Sequence, residues 1–188
     1  MRYILASNSP RRKELLRGIG IDFEIKVLPD IDESYPETLP KQEVAAFIAR
    51  KKAEAYTSVI GDDTTVITAD TVVVCEDEIM GKPHDRTDAY RMLRKLSGKT
   101  HQVYTGVCLL TDRKGNIEQR SFSVCTDVSF KELSDEEIYY YIDNYKPYDK
   151  AGAYGIQEWI GYIGVTGING SYFNVMGLPV QRIYEALR

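Results

Sequence analysis

Residues 2–18, RYILASNSPRRKELLRG, open on the segment 2–6, whose short apolar run, Tyr3 to Ala6, reads as a buried strand. The turn Ser7-Asn8-Ser9 follows. Ser9-Pro10 then begins a helix, because serine is a favoured N-cap and proline suits the first helical position, where its missing N–H is no loss. The helix is expected to reach Arg17 and stop at Gly18. Strand, turn and helix in quick succession are the unit from which α/β folds are built, and the remaining sequence repeats the theme. Residues 22–27 alternate as a second strand, and 28–40 form a Pro-rich acidic loop. Residues 41–57 carry helical periodicity, with Val44, Ile48 and Ala55 on one face. Residues 65–75, TVITADTVVVC, are β-branched and read as a long strand. A helix over about 85–96 ends near Ser97-Gly98. Residues 101–111 and 117–130 pair as a hairpin through Lys114-Gly115-Asn116. Ser134 starts a helix that runs to about Asn144, with Asp135, Glu136 and Glu137 suited to its N-terminal dipole. The glycines at 161, 164, 167 and 170 suggest a twisted strand with turns, and a last helix starts near Pro179. The pattern predicts an α/β fold with a mixed sheet.

The 188 residues suit one large domain, or two small lobes, with one domain preferred. A chain of this length buries roughly 70% of its unfolded surface, so it needs neither disulfides nor a structural metal. The apolar fraction of 43% and charged fraction of 28% are those of an ordinary globular protein. Cys75, Cys108 and Cys125 are widely spaced, form no C-x-x-C, and lie in apolar strand-like runs, where a buried free thiol is expected. Two histidines, His84 and His101, leave too few ligands for a zinc site, and neither is given a catalytic part. No apolar stretch is long enough to cross a bilayer, and the N-terminal apolar run is too brief for a signal peptide. A cytoplasmic location is the expectation. The net charge of −4 argues against a general nucleic-acid binder, though a local basic cluster still suits one anionic small molecule.

Such a cluster sits at the first helix. Arg11, Arg12 and Lys13 occupy its first turn, where the helix dipole presents positive charge and each exposed cation costs about 0.3–1 kcal/mol. An anion lodged against the free N–H groups and the guanidinium forks would reverse that cost. Neither G-x-x-x-x-G-K-[ST] nor G-x-G-x-x-G occurs, which excludes a P-loop and a standard dinucleotide fold. Asp70 is the second anomaly: a carboxylate in the middle of a β-branched strand needs a partner, a metal ion or a catalytic task. Glu33, in the acidic loop, offers another hard oxygen for Mg²⁺ or Mn²⁺. Lys51 and Lys52 flank the apolar stripe of their helix, where long side chains commonly snorkel. Lys82 is held in the turn Met80-Gly81-Lys82-Pro83. Cations from several segments together with two carboxylates suit a metal–triphosphate complex. Tyr139, Tyr140 and Tyr141 are expected to serve core and dimer contact.

Several separated segments, in this order, carry a resemblance: ILASNSPRRKELL from residue 4, Lys52-Ala53, TADTVV at 68–73, GKP at 81–83, Tyr104-Thr105-Gly106, AGAYGIQ at 151–157 and NVMGLPV at 174–180. Along nearly its whole length the chain resembles the Maf family of nucleotide pyrophosphatases. The resemblance implies a two-lobed Maf/ITPase-like α/β fold, with a curved mixed sheet flanked by helices and a central cleft. It implies a divalent metal cofactor, Mg²⁺ or Mn²⁺, a small-molecule nucleoside triphosphate as partner, and a homodimer. Asp70 matches the catalytic carboxylate, and Glu33 with Asp70 the metal-associated acids. Arg12, Lys52 and Lys82 match phosphate-holding cations, with Ser7 and Arg11 beside them in the substrate set. Arg12, Thr71 and Gln157 match the discriminating positions of the dTTP/UTP branch; the 7-methyl-GTP branch differs there, as with Asp-Gln in place of Asp70-Thr71. Glu158-Trp159 departs from the common pattern. The expected reaction is attack of an Asp70-activated water on the α-phosphorus, releasing the monophosphate and pyrophosphate. Two other readings are a non-catalytic regulator of cell division, acting at the septum, and a pyrophosphatase for modified nucleotides.

Overall fold

A computed structural model describes residues 1–188. The strands are β1 (Arg2–Leu5), β2 (Glu24–Ile25), β3 (Thr64–Cys75), β4 (Glu78–Met80), β5 (Thr100–Arg113), β6 (Asn116–Phe130) and β7 (Val165–Asn169). The helices are α1 (Pro10–Gly18), α2 (Lys41–Glu54), α3 (Arg86–Leu96), α4 (Asp135–Tyr145), α5 (Trp159–Gly164), α6 (Tyr172–Met176) and α7 (Val180–Ala186), with a 3-10 turn at Ala151–Ala153. One mixed sheet has the order β2-β1-β3-β5-β6-β7, with β4 paired to β3. The chain divides into two compact units: Met1–Asp70, Thr105–Val124 and Gly177–Arg188 form the first, and Thr71–Tyr104 with Cys125–Met176 the second. Strands β3, β5 and β6 contribute residues to both.

In the first unit, β1 pairs in parallel with β2 and β3, in a register that sets Leu5 against Ile67. The Ala6 N–H donates to the Ile67 carbonyl at 2.9 Å, so the turn before α1 lies level with the last residues of β3 in this unit. Ser9 caps α1 as its sequence predicts, accepting from the Arg12 N–H. Helix α2 stacks Ala49 and Ala53 on Val66, Cys108 and Leu110. Small residues allow this close contact, and Gly106 of β5 allows more: a Cβ there would fall 2.2 Å from the Ala46 nitrogen. Thr68 Oγ1 donates to the Ala49 carbonyl at 2.6 Å, fixing how far α2 can slide along β3.

The second unit packs α3, α4 and α5 residues around a core that includes Val73, Met80, Leu93, Phe130, Ile138, Tyr141 and Ile160. Ser134 and Glu137 form a reciprocal capping box at the start of α4.

Four expectations change. The strand expected over 22–27 shrinks to Glu24–Ile25, because it is an edge with Ile25 and Val27 turned largely to solvent and little apolar surface to bury. Helix α2 ends at Glu54, leaving Ala55 exposed at its C-cap; Ala53 supplies the buried contact instead. The segment 161–170 is not one twisted strand. Gly161 and Gly164 lie in α5 and only Gly167 in β7, since a Cβ on Gly161 would lie 1.7 Å from the Ile156 carbonyl oxygen. Cys125 is exposed, unlike the buried Cys75 and Cys108. Strand alternation places it opposite the buried side chains of Thr126, Val128 and Phe130. The tyrosine run divides similarly: Tyr141 is in the core, Tyr139 and Tyr140 on the surface.

Candidate functional site

Asp70 closes the first segment of the first unit, at the carboxyl side of the β1–β3 parallel pairing, where open α/β sheets present their ligand-binding groups. Its Oδ1 accepts from Lys52 Nζ at 2.8 Å, and the same ammonium lies 2.9 Å from Glu33 Oε1. Lys52 reaches that point because Ala49 and Ala53, on either side of it along α2, are pressed against the sheet. Asp70 and Lys52 are largely shielded, with side chains 16% and 14% exposed, whereas Glu33 is 55% exposed. Coulomb attraction is therefore screened least for the Asp70–Lys52 pair. The next lysine repeats the arrangement: Lys51 Nζ donates to Asp32 Oδ2 at 2.6 Å and to the Ser34 carbonyl at 2.8 Å. That bond holds the Asp32 carboxyl well below its usual range. Two successive lysines of α2 thus grip two successive acids of the 28–40 loop and bring Glu33 beside Asp70.

Arg12 behaves differently from the other first-turn cations. Its Nε donates to the Gly177 carbonyl at 2.8 Å and its Nη1 to the Ala69 carbonyl at 3.0 Å. Burial pulls the guanidinium below its usual range, with the Asp70 charge acting in the opposite sense. Arg12 is therefore a tie between the middle of β3 and the Gly177 segment, and it adds positive charge next to Asp70. Ser7, buried, accepts from the Ser9 N–H and shapes the turn before α1. Arg11 and Lys13 are half-buried on the same first turn.

The remaining predicted residues belong to the second unit. Thr71 follows Asp70 directly in β3. Lys82 is exposed in the turn after β4, with no hydrogen bond or ion pair. Gln157 is half-buried, and its Oε1 is buried without a hydrogen-bond partner. Such an orphan acceptor costs about 1–3 kcal/mol, so it calls for a donor from elsewhere. The neighbouring ion pairs of Lys150 and Glu158 carried no sequence signal beyond the unusual Glu158-Trp159.

No group of three His, Cys, Asp or Glu side chains converges as a ready-made metal site. The donor set nonetheless fits a hard cation that keeps much of its water: Mg²⁺ commonly takes one or two carboxylates and completes its shell from substrate phosphates. Asp70 and Glu33, drawn to one ammonium, are such a pair.

The family model described as "Maf-like protein" matches residues 2–188. A dTTP/UTP pyrophosphatase of Phocaeicola vulgatus is 63% identical over 98% of this chain and 94% of its own length. Relatives with the same description from Parabacteroides distasonis and Flavobacterium psychrophilum are 59% and 49% identical, over 98% and 96% of this chain and 94% and 90% of theirs. Among solved structures, the Staphylococcus aureus Ham1 protein aligns over 100% of both chains with 16% identity and a TM-score of 0.49. No helix is long and apolar enough to cross a membrane.

Proposed function

This chain belongs to the Maf-like protein family, and we propose that it hydrolyses dTTP and UTP to the monophosphate and pyrophosphate. The observation that carries the proposal is the carboxylate pair, Asp70 and Glu33, gathered on Lys52 in a chain 63% identical to a relative described as a dTTP/UTP pyrophosphatase. A regulator without enzymatic activity has no need of such a group.

Asp70 accepts a proton from water as the water oxygen bonds to the α-phosphorus. The bond from that phosphorus to the bridging oxygen breaks, and pyrophosphate carries away the electron pair. Lys52, 2.8 Å from Oδ1, fixes where the Asp70 oxygens point. Asp70 and Glu33 would hold a divalent cation, which would supply charge to offset that developing on the phosphate oxygens. Arg11, Arg12, Lys52 and Lys82 supply positive charge to the polyphosphate, Arg12 while still fastened to its two carbonyls, and Ser7 shapes the turn at which the tail rests. Thr71 bounds the base. Gln157 recognises it: its partnerless Oε1 accepts from the N3–H that uracil and thymine share and cytosine lacks. Modified pyrimidines that keep this N3–H are substrates on the same argument.

The test is pyrophosphate release across a panel of UTP, dTTP, CTP and GTP with Mg²⁺ or Mn²⁺, with and without EDTA. The expected result is release from UTP and dTTP that EDTA abolishes. Orthophosphate in place of pyrophosphate, or no turnover of any triphosphate, overturns the reading; turnover surviving EDTA removes the metal from it.

A further inference from the structure

Within the second unit, the segment that carries Gln157 is fastened by a set of charged groups that the proposed reaction does not use. Lys150 is a buried lysine, its side chain 10% exposed. Its Nζ lies 2.9 Å from Glu158 Oε1 and 2.9 Å from Asp149 Oδ1. The second oxygen of Glu158, Oε2, accepts at 2.8 Å from the hydroxyl of Tyr141, a core residue of α4. That hydroxyl in turn accepts from the Gly155 N–H at 2.9 Å. One carboxylate thus closes the segment 150–158 on itself through Lys150 and anchors it to α4 through Tyr141. A further backbone bond, Gly152 N–H to the Gly81 carbonyl at 3.0 Å, ties the segment to the turn that presents Lys82.

Two readings of Lys150 compete. A buried lysine in a protein proposed to bind a triphosphate could be one more phosphate-binding cation. Its ammonium, however, is engaged by two carboxylates of its own segment, Asp149 and Glu158, neither of which the proposed reaction uses, so its charge is spent in holding that segment. The alternative starts from Gln157, directly before Glu158, whose Oε1 is buried with no partner. A side-chain amide is free to turn about its last torsions and relieve such an orphan unless its backbone and surroundings are fixed. Glu158 holds the adjacent residue at both carboxylate oxygens, and its own carbonyl accepts from the Gly161 N–H at 2.9 Å at the start of α5.

We propose that Glu158, together with Lys150 and Tyr141, is a positioning device that keeps the Gln157 amide aimed for recognition of the base. The assignment rests on the proposed function, specifically on Gln157 as the group that tells uracil from cytosine. Glu158 touches no substrate; it acts through Gln157. Removing its charge frees the amide to turn, so the ability to prefer UTP over CTP falls while the groups on the polyphosphate tail remain as they were.

The test compares wild type with Glu158→Gln, Tyr141→Phe and Gln157→Ala. Three quantities are measured: kcat/KM for UTP and for CTP, inhibition by inorganic tripolyphosphate (a tail without a base), and melting temperature. Gln157→Ala and Glu158→Gln are each expected to reduce the UTP-to-CTP ratio about tenfold, the scale on which loss of an orienting outer partner acts. Tyr141→Phe, which removes only the hydroxyl, reduces it in the same direction. Tripolyphosphate inhibition stays unchanged in all three. Should Glu158→Gln fail to fold, Tyr141→Phe decides. If the ratio survives in Glu158→Gln and Tyr141→Phe but collapses in Gln157→Ala, the positioning role is overturned and base recognition by Gln157 stands. A parallel fall for both nucleotides with the ratio intact marks a merely structural brace and overturns it too. If Gln157→Ala keeps the ratio, Gln157 does not read the base and the inference fails with it, while pyrophosphate release by the wild type still upholds the hydrolytic reading.

Discussion

Lys52 places a single positive charge between two carboxylates, and the difference in shielding of those carboxylates matches the separate tasks proposed for them. Asp70 is enclosed and held by one strong contact, which suits a group that must be ionised and pointed at a fixed water. Glu33 is open to solvent on a loop, which suits a ligand that swings onto a cation arriving with the substrate. Asp70→Asn keeps the shape and leaves Lys52 paired with Glu33, so the fold should persist with a melting temperature near that of wild type. Its kcat should fall by about 10²–10⁴, the usual contribution of a positioned general base. Steady-state kinetics beside a thermal melt check this, and an unimpaired kcat removes Asp70 from the role. Lys82 is the complementary case, since it is exposed and makes no hydrogen bond or ion pair. Lys82→Ala should lower kcat/KM and leave the melting temperature within error; a clear loss of stability instead would mark a structural lysine.

At the scale of elements, the site depends on how closely α2 lies on the sheet. The atoms around Gly106 make the dependence testable: a Cβ there would fall 2.2–2.4 Å from the Ala45 and Ala46 backbone, which no side-chain rotation relieves. Gly106→Ala must push α2 outward, at about 1–3 kcal/mol or more for overpacking, and carry Lys52 away from Asp70. Stability and turnover are expected to fall together, in contrast to Lys82→Ala; a variant that melts lower but turns over normally would show that α2 does not set the Lys52 position. Elements with a local signature were legible in the sequence. Ser9-Pro10 announced α1, Ser134 with Glu137 announced α4, and the β-branched run announced β3. Asp70 stood out there because it broke that run. What the sequence withheld depends on partners distant along the chain. The first-turn spacing marked Arg12 as an anion contact but could not show that two of its N–H groups also go to carbonyls at Ala69 and Gly177, the second 165 positions away. Local spacing likewise left Lys51 and Lys52 equivalent, and only the fold assigns one to Asp32 and the other to Asp70. The glycines from 161 onward share a spacing but not a reason, since some serve close packing that no periodicity reveals.

For the whole molecule, the response to acid follows from one buried ring. His101 is fully enclosed, edge-on to Phe130 and Tyr154, with Nε2 2.6 Å from the Tyr154 hydroxyl and Nδ1 without a partner. Burial holds its pKa down at about 4, opposed only in part by Asp127. The unfolded chain returns the imidazole to about 6.5. Between those values the unfolded state binds the extra proton and the folded state does not, so stability falls as pH falls. The contribution is whole above about 6.5 and is lost progressively toward about 4, at up to about 1.4 kcal/mol per pH unit. The carboxylates held low by ion pairs, such as Asp32, Glu78 and Glu137, lose their contributions only at lower pH, and their exposure keeps each one small. His101→Gln retains a group able to meet the Tyr154 hydroxyl but cannot titrate. It should be less stable than wild type at neutral pH, because the ring's contacts are gone, yet its stability should decline less steeply across that window. Denaturant unfolding at intervals through the window measures the slopes, and parallel slopes for the two proteins would mean that the acid sensitivity lies elsewhere.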